Sequence, residues 1–563
     1  MSSSTSAPWL GFYGDTPATI DYPDCSMYHL VAESAAKYPH HIAYIFQGKQ
    51  TGYEDFLRHI DAAARGLYAM GIRKGDRVTI CMPNCPQTLH CLYGLNRIGA
   101  MANMIHPLSA PQEIAFYLQR SHSKAILTLD QFYAKVAAVT PKDVTIFVAK
   151  IADALPFPLN LLYPLTKSGR CRLPKTGYTL WQHMLCAGTD TVSLPEEDGK
   201  GDDPAVILYS GGTTGKPKGV LLSNRNFNAQ ALQTIAASGF GSIEGMKMLA
   251  ILPNFHGFGL GVGIHTPLLG GGACILVPQF SIDTYAKLLR QYRPELIPGV
   301  PTLFEALLRC EGLKNADLSF LKGIFCGGDR LPLPLREKVN AFLQEHGCQE
   351  QIREGYGATE CVAASCLTPR TLYRTGSIGI PFPDTFYKIV HRDTTLALEM
   401  GTGIGEICIS GPTVMLGYLD DPEETAQALR RHADGRLWLH TGDLGSMTQE
   451  GFVFFVHRIK RMIVSSGYNV YPSQLENIFD GHEKVQLSCC IGVPDAYRGQ
   501  KVVAYIVLQP GVTANTELKQ ELLAYAADSI AKYALPREII FRTELPRTKL
   551  GKVDYRALEK EYT

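Results

Sequence analysis

Residues Leu208 to Val220 read LYSGGTTGKPKGV. An apolar run, Ala205 to Leu208, leads in and a second, Val220 to Leu222, leads out, so the pattern predicts two strands joined by a loop of Gly, Ser, Thr and Lys. Such a loop suits an anion. Gly211, Gly212 and Gly215 let backbone N–H groups crowd round it, Ser210, Thr213 and Thr214 add hydroxyl donors, and Lys216 and Lys218 add positive charge. The nucleotide P-loop is the first alternative, and it requires Gly, four residues, then Gly-Lys and a hydroxyl residue. Here Ser210 stands where the first Gly belongs, and Pro217 follows Lys216, which removes both the N–H and the hydroxyl needed there. A solvated turn seldom gathers so many donors beside two lysines.

Outward from this loop the chain alternates helix and strand. Amphipathic helices are expected at Leu30 to Lys37, Asp55 to Met70, Pro86 to Ile98 and Pro111 to Gln119, with strands at Ile42 to Phe46, Arg77 to Cys81 and Ala125 to Leu129. That rhythm means layered α/β architecture. It breaks between Ile151 and Asp203, where LPFPLNLLYPLT (Leu155 to Thr166) precedes the basic KSGRCRLPK. This loop is expected to pack on the core beside a solvated basic turn; the competing reading is a greasy lip facing lipid or a long acyl chain. Beyond residue 400, Gly403 to Ser410 and Gly435 to Asp443 read as strands of a small antiparallel or barrel-like unit, and the last hundred residues alternate strand and helix again.

With 563 residues the chain exceeds one core, and a formal net charge of +1 argues against a nucleic-acid partner. The 15 cysteines form no paired C-x-x-C motif, which fits reduced thiols and a cytoplasmic location. The N-terminus lacks the basic flank and apolar core of a signal peptide. The uncharged run Phe258 to Pro278 holds six glycines and Pro267, so a buried helix followed by a buried strand is expected there rather than a membrane span.

The loop at 208–220 resembles the signature loop of the adenylate-forming superfamily: acyl- and aryl-CoA synthetases, luciferases and the adenylation domains of peptide synthetases. Further motifs of that family follow in order. LPNFHGFGLGVG (Leu252 to Gly263) places His256 where relatives carry an aromatic or histidine near the reacting carboxylate, and it lacks the aspartate with which amino-acid-activating members anchor an ammonium. IPGVPTLFEALL (Ile297 to Leu308) is similar to the fatty-acyl branch, and IFCGGDR (Ile324 to Arg330) aligns Gly327, Gly328 and Asp329 with the loop lining the acyl and adenine pockets. In EGYGATE (Glu354 to Glu360) the resemblance assigns Tyr356 and Gly357 to adenine and the acyl pocket, Thr359 to a phosphate and Glu360 to magnesium. Asp443 of the TGD triplet and Arg458 correspond to ribose ligands, Lys460 to a hinge, and Ser466, Gly467 and Tyr468 to the coenzyme A tunnel. Lys552, in PRTKLGK, matches the catalytic lysine.

The resemblance therefore implies a large N-terminal adenylate-forming domain (residues 1–457) of α/β layers with a small barrel-like β subdomain, a hinge at 458–461, and a mobile α+β domain at 462–563. The implied reaction joins a medium- or long-chain fatty acid to coenzyme A through an acyl-adenylate, using ATP and Mg2+, with Lys552, His256, Thr214 and Glu360 as the catalytic group. Alternatives are an aryl-CoA ligase, loading of a carrier protein in trans, and a luciferase-like monooxygenase. Expected partners are a small carboxylic acid and coenzyme A, with no nucleic acid, at most peripheral membrane contact, and a homodimer as in many relatives.

Overall fold

The computed structural model of the chain describes residues 7–562 apart from 167–170, 190–191, 211–216, 462, 466–467, 471, 496–497, 528, 531–533 and 549–551. Among the described residues the strands form four sheets. The first has eight strands, and its centre is parallel: Met101–Met104, Arg77–Cys81 and Ala125–Leu129 run side by side as near-continuous apolar runs, as strands covered on both faces must. At one side of it Pro204–Ser210 and Lys218–Ser223 form an antiparallel hairpin in which Leu208 faces Val220 and Ser210 faces Lys218. The signature loop thus joins two adjacent strands, as its flanking apolar runs predict.

The second sheet has nine strands. Lys247–Ala250, Leu296–Gly299, Gly323–Cys326 and Ile352–Gly357 are parallel neighbours in that sheet, and each ends near a motif singled out above. Helices fill the space between the layers because their apolar residues recur on one face. In Tyr53–Ala69 the buried set is Tyr53, Phe56, Ile60, Ala63, Ala64 and Leu67, and the first turn carries Glu54 and Asp55 toward the positive end of the helix dipole. The helix Asn224–Ser238, which follows the hairpin, starts on a Ser223 cap that accepts from Asn226 N and ends at Gly239 in the left-handed region (φ +77°). These elements share one large apolar core that ends at Phe452 and Val453.

The third sheet, built on Phe386–Val390, Gly405–Ser410, Leu437–Met447 and Val453–Arg458, is the small β subdomain. The fourth, with Val485–Asp495 and Gly499–Leu508 antiparallel at its centre, carries Pro472–Asp480 and Thr516–Ala527 over a separate core that includes Ile463, Leu475, Phe479, Ala504 and Leu522. The architecture is α/β with a large N-terminal part and a small α+β C-terminal part.

Phe258 to Pro278 folds as a π-helical turn at Phe258–His265, a short helix at Thr266–Leu269 and the strand Ala273–Leu276, all inside the protein. No helix among the described residues is long and apolar enough to cross a membrane. One expectation needs correction. The Leu155 to Thr166 loop does not simply pack on the core: Leu155 and Tyr163 touch it, but Phe157, Leu161 and Leu165 are turned to solvent. The segment is helical in short pieces, Ile151–Ala154, Leu159–Leu162 and Tyr163–Leu165, so its apolar residues divide between two faces instead of collapsing onto one.

Candidate active site

Asp443 is held at a bulge. In the pairing of Leu437–Met447 with Gly405–Ser410, Cys408 faces His440 and Glu406 faces Leu444, so residues 441–443 stand opposite Ile407 alone. Gly442 takes φ +71°, which only glycine adopts without cost. Buried Glu406 fixes the distortion: Oε1 accepts the Gly442 N–H at 2.9 Å, and Oε2 lies 2.8 Å from His440 Nδ1. Thr441 donates its hydroxyl to Ile407 O at 2.7 Å and accepts the Asp443 N–H at 3.1 Å.

The result aims a buried carboxylate into a cleft. Asp443 Oδ2 accepts the Tyr356 hydroxyl at 2.7 Å, while Oδ1 lies 3.2 Å from Arg458 Nε without an aligned hydrogen bond, and so keeps acceptor capacity. Burial raises the Asp443 pKa, opposed by the Arg458 charge. A carboxylate presented this way suits a vicinal diol. Beside it, the Tyr356 ring lies 6.0 Å from that of Phe455, leaving an aromatic wall next to the Asp443 carboxylate.

Tyr356 and Gly357 end the strand Ile352–Gly357, and Thr359–Cys361 follow as a 3-10 turn. A Cβ on Gly357 would lie 1.5 Å from Ala363 O, so backbone passes backbone there with room for no side chain. The turn closes on Val362 at φ +65°, ψ −65°, a strained setting for a β-branched residue, and its carbonyl oxygen would lie 1.5 Å from a Cβ on Gly257. The Glu360 turn and the His256 turn are thus wedged together. Glu360 Oε1 accepts the Tyr418 hydroxyl at 3.0 Å, and Met415 N–H donates to Glu360 O at 2.8 Å. Lys218 lies over the Tyr418 ring at 4.7 Å and pairs with Glu424. A single carboxylate with one oxygen anchored by a neutral hydroxyl is a hard donor of the kind Mg2+ takes alongside phosphate oxygens.

His256 Nδ1 accepts the Phe258 N–H at 3.3 Å, which leaves Nε2 as the N–H of the neutral ring. Burial first, and the charge of Lys552 second, lower its pKa to about 4. Lys552 comes from the other part of the chain. Its turn is a hairpin in which Thr548 N–H donates to Lys552 O and Asp554 N–H to Pro546 O, both at 2.7 Å. Burial lowers the Lys552 pKa; Asp329 and Asp443 favour its charged form and Arg458 opposes it. The ammonium, the imidazole and the two carboxylates therefore share one electrostatic neighbourhood.

A cavity of about 1010 Å3 opens beside this centre, walled by Leu108, Phe132, Leu155, Leu162, Phe255 and Leu303 among others, and by Arg547 of the Lys552 hairpin. Phe255 precedes His256. Val300, also on the wall, stands 3.4 Å from where a Cβ on Gly328 would lie. His256, Gly327, Gly328 and Gly357 are not on the wall itself; Gly327 backs onto Gly355 O and the Phe258 ring. Asp329, next in that turn, is exposed and accepts the Arg330 N–H, and Arg330 reaches Ser473 O at 3.4 Å. Arg461 pairs with Glu476 at 2.5 Å and lies over the Tyr555 ring.

Gly211, Gly212, Thr213, Thr214, Gly215 and Lys216 lie outside the described residues, as do Ser466 and Gly467; Ser210 ends its strand opposite Lys218. Tyr468 and Lys460 are described in backbone only, in the strand Tyr468–Val470 and the turn Ile459–Arg461. Glu406, His440, Tyr418 and Val362 are the positioning residues that the motif reading missed.

A polar cleft carrying Asp443 and Lys552 lies beside an apolar cavity of about 1010 Å3, an arrangement that suits activation of a carboxyl group on a nucleotide. The chain belongs to the AMP-binding enzyme family: that family's sequence model matches residues 31–419, and the model for its C-terminal domain matches residues 474–552. It is 36% identical over 568 residues to the long-chain-fatty-acid–CoA ligase of Bacillus subtilis, with 99% of this chain and 98% of that protein covered. The ligase of the same description from Salmonella typhimurium is 31% identical over 571 residues, with 98% of each covered. Among solved structures, ATP-bound MatB from Rhodopseudomonas palustris superposes with a TM-score of 0.81 at 25% identity, covering 95% of this chain and 99% of that one.

Proposed function

We propose that this protein is a fatty-acyl-CoA ligase that forms AMP. The acid's carboxylate attacks the α-phosphorus of ATP; an O–P bond forms, the α–β phosphoanhydride breaks, and pyrophosphate leaves. The thiol sulfur of coenzyme A then attacks the acyl carbon, the bond to the AMP oxygen breaks, and the thiol proton is released. The observation that carries this reading is the junction itself: a 1010 Å3 apolar cavity whose wall residues Phe255 and Arg547 are chain neighbours of His256 and the Lys552 hairpin.

In this scheme Asp443 and Arg458 hold the ribose, Tyr356 and Gly357 the adenine, and Ser210 to Lys216, Thr359 and Asp329 surround the phosphates. Glu360 holds Mg2+, which neutralises phosphate charge when bound. Lys552 stabilises charge on the attacked phosphate, and neutral His256 offers its Nε2–H to the carboxylate without adding a competing cation. Gly327 and Gly328 let the acyl carbon approach the backbone. The C-terminal part, beginning after a hinge at residues 458–461, turns about Lys460 to withdraw Lys552 and bring Ser466, Gly467 and Tyr468 up to the thiol. Separate apolar cores on either side of those residues support that boundary. None of the fifteen cysteines is in a disulfide, which suits the reducing cytoplasm.

The test is pyrophosphate release from ATP and Mg2+ across aliphatic, aryl and amino acids, with and without coenzyme A. Turnover that requires a fatty acid and coenzyme A together is expected. Release indifferent to coenzyme A would assign a carrier-protein thiol instead, and preference for aryl acids would overturn the fatty-acid reading.

A further inference from the structure

We propose that Cys408, His432 and His440 form a structural site for Zn2+ in the small β subdomain. All three are buried, and their donor atoms, one sulfur and two ring nitrogens, lie within 4.8 Å of one another. The sheet brings them together from three strands. Cys408 faces His440 directly across the antiparallel pair, so both side chains leave the same face. His432 follows the edge strand Leu429–Arg431, and the hairpin back into Leu437–Met447 returns its ring to that face: its N–H donates to Arg436 O at 3.1 Å, and the ring stacks on Trp438 with centroids 5.6 Å apart. Neither Cys408 nor His432 has a part in the proposed reaction.

The donors choose the ion. His440 Nδ1 lies 2.8 Å from Glu406 Oε2, and a carboxylate only accepts, so Nδ1 carries the proton and Nε2 keeps its lone pair. His432 Nε2 stands 3.0 Å from that lone pair. Two nitrogens on a tetrahedral zinc ion are about 3.3 Å apart, and a nitrogen and a sulfur about 3.6 Å. The two rings already stand near that spacing, and the sulfur closes from no farther than 4.8 Å. A histidine ligand whose other nitrogen donates to a carboxylate is the usual outer support of such an ion. Thiolate and imidazole suit Zn2+, whereas Mg2+ and Ca2+ take oxygen. Cys408 as thiolate and Glu406 together balance a divalent charge, and the nearby Lys388 is paired with Asp434 at 2.7 Å. The carboxylate that supports His440 is also the one that holds Gly442 at the Asp443 bulge.

Because the site is buried, the ion enters as the subdomain folds. The full chain, free of any tag, is therefore produced in medium supplemented with Zn2+ or Co2+ and dialysed against excess Mg2+ before metal analysis. Wild type is expected to hold about one zinc ion per chain; the cobalt form should show the visible bands of a tetrahedral ion and a near-ultraviolet sulfur-to-metal band. Cys408→Ser should lose the sulfur band. His432→Gln should release zinc to a competing chelator more readily than wild type, by more than the roughly 10–100-fold that loss of an outer partner costs. Both variants should still melt cooperatively, but only wild type should melt higher when made with zinc. Cys186→Ser, which changes an exposed cysteine, should behave as wild type. Wild type that retains no zinc would overturn the proposal and leave the two imidazoles as a hydrogen-bonded pair. So would zinc held equally by wild type, Cys408→Ser and His432→Gln, since the ion would then sit elsewhere. None of these readouts requires acyl transfer, so the zinc site and the ligase reading stand or fall separately.

Discussion

Gly257→Ala is the most demanding single substitution for this account of the site. The ideal Cβ lies 1.5 Å from Val362 O and 2.6 Å from its carbon, whereas real Cβ atoms essentially never come within 3.0 Å of a neighbour. One of the two turns must therefore retreat by about 1.5 Å, and each carries a residue that the proposed reaction uses: His256 precedes Gly257, and Glu360 stands two residues before Val362. Val362 cannot yield by a local twist, because it already occupies a positive φ that a β-branched side chain disfavours. A misplacement of about 1 Å in a reacting group costs on the order of a hundredfold in rate, or roughly 2.7 kcal/mol of transition-state stabilisation. Overpacking at the wedge should cost about 1–3 kcal/mol of stability as well. The assay is single-turnover formation of acyl-adenylate, read as pyrophosphate release without coenzyme A, beside a thermal melt and a titration of ATP binding. The expected result is at least a hundredfold slower adenylation in a protein that still folds and still binds ATP, since Asp443 and Tyr356 are held by other contacts. Adenylation within threefold of wild type with an unchanged melt would refute the wedge.

Asp443→Asn keeps the shape but loses the anion facing Arg458, and should weaken ATP binding by roughly tenfold, measured by calorimetry. Lys552→Met should slow adenylation by two or more orders of magnitude while leaving thioester formation from supplied acyl-adenylate much less affected. Because burial lowers the Lys552 pKa, the alkaline fall of wild-type adenylation should begin below the range of an ordinary lysine. His256 is held neutral, with its folded pKa near 4 below the unfolded value, so it contributes stability that is present above about 6.5 and lost as pH falls toward 4. Melts of wild type and His256→Gln between those limits should differ in slope, with the flatter curve in the variant. Lys460→Pro should spare ATP binding and slow overall turnover; both half-reactions intact would remove the hinge assignment.

The parallel layers were legible because their strands are near-continuous apolar runs: Ile42–Phe46, Arg77–Cys81 and Ala125–Leu129 fold with the limits their composition predicts. The motif residues could be named because their chemistry is local, a TGD turn or a Gly-Tyr-Gly strand end. What holds them in place is not local. Glu406 grips Gly442 from 36 residues away and Tyr418 reaches Glu360 across 58, and no periodicity connects such pairs. Val362 lies in a backbone setting that its own propensity argues against, so only the tertiary wedge could reveal it. At Leu155 to Thr166 the apolar character was plain, but the division into two faces depends on a cavity formed by Phe132, Leu252 and Leu303, far off in sequence.

That cavity has a consequence for selectivity. Part of its wall is built from Leu159 and Leu162, which are 45% and 51% exposed, so its outer end is a doorway and not a floor. Each methylene that a bound tail adds inside is worth about 0.8 kcal/mol, or roughly fourfold in affinity; each one that protrudes past the doorway adds little. Such a site grades short acids steeply against one another and treats long ones alike, so it has no ruler at its upper end. Among long acids the product mixture would then mirror the composition of the surrounding lipid pool, a choice left to supply and not to fit.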